Sequence, residues 1–104
     1  MVKEIDTAET FNGLISSGKV IVDYHAQWCG PCKVIGPVFE AQSTKFPDIN
    51  FVKVNVDNLG DISASAGVRA MPTFQTYKDG VKIGEVLGAN QKALLDLIQQ
   101  LADA

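Results

Sequence analysis

Apolar positions along this 104-residue chain change period several times, and each change marks the boundary of an element. Residues 2–5 predict a short first strand. Asp6 and Glu9 are spaced as a capping box, and Phe11, Leu14 and Ile15 share one face of a helix ending near Gly18. Residues 20–26, Val20-Ile21-Val22-Asp23-Tyr24-His25-Ala26, are nearly continuous in β-branched, aromatic and small side chains, the pattern of a strand covered on both faces. From Cys29 to about Phe46, the apolar residues Val34, Ile35, Val38, Phe39 and Phe46 recur at helical spacing. Pro31 falls near the first turn of that helix, where its missing N–H costs little, and Gly36-Pro37 predicts a kink within it.

Residues 51–56 predict a second internal strand, so 20–56 forms one βαβ unit with a right-handed crossover. A short helix is expected over 57–67. Residues 73–77 and 81–87 flank Lys78-Asp79-Gly80, a hairpin signal because glycine accepts the positive φ of a tight turn. Asn90 then caps a last helix in which Leu94, Leu97, Ile98 and Leu101 share a face. The predicted order is βαβαβαββα.

Hydrophobic residues make up 46% of the chain, enough for one compact domain over 1–104 and too short a length for two. A net charge of -3 argues against nucleic acid or an anionic membrane surface as a partner, since both need a dense positive field. The opening run Met1-Val2-Lys3-Glu4-Ile5-Asp6 carries acids where a signal peptide is apolar, and no later apolar run approaches the roughly 18 residues of a membrane span. The cytoplasm is therefore the expected compartment, with nuclear or secreted pools left open, and a monomer is the expected state.

The chemistry is concentrated in Trp28-Cys29-Gly30-Pro31-Cys32, where the buried strand gives way to a helix. A thiolate at a helix N-terminus meets unpaired backbone N–H groups and the positive end of the dipole, so Cys29 should ionise below an ordinary thiol. Cys32 lies one turn on, close enough for a disulfide to close with modest adjustment. Cys29 is therefore the expected attacking thiol and Cys32 the resolving one. As a staple the pair is poor, because so short a loop contributes only about 2 kcal/mol by chain entropy. Gly30 should leave the first sulfur open to a bulky disulfide. Pro31 stiffens the turn without adding a cation that would favour the thiolate and make the couple more oxidising. A metal site is disfavoured, since two cysteines and His25 fall short of four ligands. His25 itself is expected to be an ordinary strand-end residue.

The run Trp28-Cys29-Gly30-Pro31-Cys32-Lys33, followed by Met71-Pro72-Thr73-Phe74 and Gly88-Ala89-Asn90, resembles the thioredoxin family over essentially the whole chain, with closer likeness to eukaryotic than bacterial members. A CxxC beside a βαβ pattern in a cytosolic protein is a general signature of that group. The resemblance implies an α/β thioredoxin fold, a central mixed five-stranded sheet flanked by four helices, acting as a general protein-disulfide reductase. It implies a cis bond before Pro72 that brings the Met71 backbone to the sulfurs, and a docking groove of Trp28, Gly30, Pro31, Met71, Pro72, Thr73, Gly88 and Ala89. It makes Asp23 the buried acid behind the active site, with burial raising and Lys53 lowering its pKa and burial prevailing. Asp23 would then take the Cys32 proton, through water. No bound cofactor or metal is implied. Electrons are expected from NADPH through thioredoxin reductase, and targets such as peroxiredoxins are the expected acceptors.

Overall fold

A computed structural model describes residues 1–104. Nine elements follow in the order β1 (Lys3–Glu4), α1 (Ala8–Ile15), β2 (Lys19–His25), α2 (Gly30–Lys45), β3 (Ile49–Asn55), α3 (Gly60–Ser65), β4 (Thr73–Lys78), β5 (Val81–Leu87) and α4 (Gln91–Ala102). The strands form one sheet in the order β1-β3-β2-β4-β5. β1 and β2 run parallel to β3, whereas β4 runs antiparallel to β2 and β5, so the sheet is mixed.

Strand alternation divides the core between the two faces. Ile21, Phe51 and Phe74 pack on one side against Ile35 and Phe39 of α2 and Leu94, Leu97, Ile98 and Leu101 of α4. Val20, Val22, Tyr24, Val52 and Val54 pack on the other side with Phe11 of α1, Ile62 of α3 and Tyr77. Each such side chain, taken fully from water, contributes about 1.5–3 kcal/mol before the entropy of ordering it. With helices on both faces, β2 is covered throughout, and this explains its continuous apolar run. The same alternation places Asp23 and His25 on the Ile21 face, toward α2.

Local chemistry sets the element ends. The first helix is capped by Thr7, whose Oγ1 accepts the Thr10 N–H at 3.1 Å, not by the expected Asp6–Glu9 box. A hydroxyl one residue later reaches the free amide, and the helix stops at Ile15, earlier than expected. Asn90 caps α4 as expected, its Oδ1 accepting the Ala93 N–H at 2.9 Å. The third helix is shorter than 57–67, because Asn55 Oδ1 accepts the Asp57 and Asn58 amides and holds the chain in a turn before Gly60. At the hairpin, Asp79 and Gly80 both have positive φ, 50° and 87°, which matches the twist of the flanking strands.

Candidate active site

α2 begins on the sulfurs. Cys29 is its N-cap residue, and Cys29 Sγ accepts the Cys32 backbone N–H at 3.2 Å. Pro31 occupies the first turn, where no helical hydrogen bond is lost. A disulfide joins Cys29 to Cys32, with their Cα atoms 5.4 Å apart. The first turn of the helix thus presents the Cys32 amide to the Cys29 sulfur and itself carries the second sulfur.

A small apolar cluster surrounds the disulfide, comprising Ala26 and the two cysteines with Val56 and Met71 packed against it. Cys29 is 4% exposed and Cys32 7%, so the openness expected at the first sulfur is not found with the pair bonded. The neighbouring side chains cover both cysteines, while Gly30 and Pro31 lie at the surface. Trp28 is 69% exposed and stands outside the core, with its indole Nε1 donating to Asp57 Oδ2 at 2.9 Å. Asp57 was not among the residues expected at the site. Its two-residue distance from the end of β3 was the only sequence signal for it.

The Met71-Pro72 bond is cis, and Met71 packs beside the sulfurs. Thr73 Oγ1 donates to Ala70 O at 2.6 Å, which fixes the approach to the turn. Gly88, at φ 86°, donates its N–H to Pro72 O at 2.8 Å and so ties the end of β5 to the proline loop. Met71, Pro72, Thr73 and Gly88 are thereby brought together, but Pro72 and Thr73 are buried, so of the expected groove residues here only Met71, Gly88 and Ala89 reach the surface, as one ridge.

Asp23 lies behind the disulfide, 4% exposed, with no hydrogen-bond partner for its Oδ1. Burial pushes its carboxyl up to about 7 from 3.8, the Lys53 charge opposes the rise and the Glu4 charge adds to it. Lys53 is the direct neighbour of Asp23 on β2 and of Glu4 on β1, so the three charges form a row across three strands. A cleft of about 360 Å³ joins Asp23 and Lys53 to Cys32, and its lining also includes His25, Lys33 and Glu40. Water entering it would reach both the Asp23 carboxyl and Cys32. No three His, Cys, Asp or Glu side chains are placed so that they could hold a metal ion.

Comparison with known proteins agrees with this geometry. The family model described as thioredoxin matches residues 2–100. Thioredoxin from Coprinus comatus is 53% identical over 103 residues, which is 96% of this chain and 97% of that protein. The crystal structure of Malassezia sympodialis thioredoxin (Mala s 13) superposes with a TM-score of 0.93 at 40% identity, covering 97% of this chain and 93% of that one. A further chain, at TM-score 0.90 and 38% identity over 95% of this chain and 94% of its own, comes from work on thiol resolution in yeast mitochondrial 1-Cys peroxiredoxin via glutathione and thioredoxin systems.

Proposed function

The chain belongs to the thioredoxin family, and on that premise we propose that it serves as a general cytoplasmic reductant of protein disulfides, fed by NADPH through thioredoxin reductase. Its chemistry is that of a thiol–disulfide oxidoreductase. In the reduced protein the Cys29 thiolate attacks one sulfur of a target disulfide, and the other target sulfur leaves as a thiolate and takes a proton from solvent. The Asp23 carboxylate accepts the Cys32 proton through a water in the cleft, and the Cys32 sulfur then attacks Cys29 Sγ. The bond from Cys29 to the target breaks, the second target thiolate departs, and two electrons have passed from the dithiol to the target.

One observation carries this reading: Cys29 caps α2 while Cys32, one turn on, shares a cleft with a buried carboxyl. Capping stabilises the thiolate through backbone N–H groups and the helix dipole, and the buried carboxyl in the same cleft supports the reading of Asp23 as base for the second thiol. The exposed Trp28 and the ridge from Met71 to Gly88 give an extended target segment a surface beside the sulfurs, with Met71 available for main-chain pairing. Peroxiredoxins are a suitable target class, as in the study of the yeast relative. Thioredoxin reductase would dock over the same surface to return electrons.

The test is insulin reduction coupled to NADPH and thioredoxin reductase, with wild type beside Cys29→Ser and Cys32→Ser. Both variants should lose turnover, and only Cys32→Ser should accumulate mixed disulfides with its targets, because attack survives and resolution does not. Trapping by Cys29→Ser instead would reverse the assigned order. Imaging of a tagged chain checks the compartment.

A further inference from the structure

His25 was expected to be an ordinary strand-end residue, and its surroundings are not ordinary. It lies two residues beyond Asp23 on β2, so both side chains leave the same face of the sheet, about 7 Å apart along the strand. Both line the cleft that contains Cys32. Its Nε2 stands 3.4 Å from Glu4 Oε1 and 3.5 Å from Glu4 Oε2, so a carboxylate on β1 holds the ring at the mouth of the cleft. His25 is 18% exposed, and protons can reach it from solvent.

We propose that His25 is a positioning residue for the exchange reaction: held by Glu4, its imidazolium keeps the Asp23 carboxylate ionised and ready to accept the Cys32 proton. This inference rests on the role given to Asp23 above. Glu4 on β1 meets the ring, and the charged groups that share its cleft are Asp23 on β2, Lys53 on β3 and Lys33 and Glu40 on α2. Unlike a lysine, an imidazole is a side chain that can gain its charge within the pH range in which such exchange reactions run. A cation that appears as acidity rises opposes the protonation of its neighbour. The base then remains available in mildly acidic solution. Glu4's charge favours a proton on Asp23, and its contact with a protonated His25 would screen that effect.

Linkage makes the coupling reciprocal, and the oxidised protein tests it without interference because bonded cysteines do not titrate. His25 is the only histidine, so its ring protons need no assignment in an NMR titration. Asp23→Asn should lower the His25 midpoint, and His25→Gln should raise the Asp23 carboxyl midpoint by the same amount, about half to one pH unit for charges 7 Å apart near the surface. Resolution of a mixed disulfide, followed in a single turnover from pH 5 to 9, should slow about three- to tenfold at pH 6 in His25→Gln and converge with wild type at pH 9. His25→Asn, a smaller amide, should give the same profile, which separates loss of charge from loss of packing. Midpoints that do not move reciprocally, or a rate lowered by one factor at every pH, would overturn the inference. If the midpoints move but Asp23→Asn leaves the wild-type rate profile unchanged, it is the role of Asp23 as base that fails, and the kinetic half of this inference fails with it.

Discussion

Asp23 is the residue at which folding and function pull apart. Its carboxyl is raised from 3.8 to about 7 by burial, so the folded state binds a proton that the unfolded chain releases. The raised value makes the sign of the pH dependence definite: between those two pH values stability falls as pH rises, and below 3.8 the penalty is absent. At pH 7 the accumulated cost is about 4 kcal/mol, because each tenfold gain in proton affinity on folding corresponds to about 1.4 kcal/mol. Asp23→Asn should therefore raise the melting temperature by about 15 °C or more at pH 7 and leave it nearly unchanged at pH 3.5, while slowing mixed-disulfide resolution. An equal change in melting temperature at both pH values would mean that charge burial is not the cause. Trp28 is the opposite kind of residue. It is 69% exposed, so Trp28→Ala should cost under about 1 kcal/mol of stability by chemical denaturation, yet weaken the reaction with protein disulfides more than with a small-molecule disulfide.

Among the elements, α2 and β5 show how the fold supports the site. The helix N-terminus was readable from Cys29 and Pro31, since a β-rich run ended there and helical spacing began. Asp6–Glu9 misled because several residues near that N-terminus could cap, and only the backbone geometry shows that Thr7 reaches the Thr10 amide. On β5, a Cβ added to Gly84 would come within 2.7 Å of both Leu97 Cδ1 and Thr76 Oγ1. A side chain at this position would force the Leu97 and Thr76 side chains, both buried, to shift. Gly84→Ala should destabilise the fold by about 1–3 kcal/mol in urea unfolding through overpacking, without changing the ionisation of Cys29. A neutral effect would mean that α4 can move away from the strand at little cost.

At the scale of the whole molecule, the site is assembled from segments far apart in sequence. Cys29 and Cys32 come from α2, Asp23 and His25 from β2, Glu4 from β1, Lys53 from β3, and the Met71–Gly88 ridge from the ends of β4 and β5. Element order and core faces were legible, because periodicity records which positions meet a neighbour. The cysteine chemistry was legible because it depends on local placement at a helix start. The row of Glu4, Lys53 and Asp23, the Trp28–Asp57 hydrogen bond and the cleft shared with His25 were not. They follow from strand register, which a single sequence does not encode locally. That is also why His25 read as ordinary: its meaning lies in residue 4, brought beside it by pairing through β3.

All of these parts serve a single event, the attack by Cys29 as a thiolate, and its ionisation is the quantity to measure. The direct measurement is the rate of alkylation of the fully reduced protein by iodoacetamide across pH, with mass spectrometry to locate the label. Capping by α2 predicts that Cys29 reacts first, with a midpoint at least about one unit below the 8.5 of a free thiol, and that Cys32 is protected at neutral pH. A midpoint near 8.5, with both cysteines labelled at similar rates, would contradict the account.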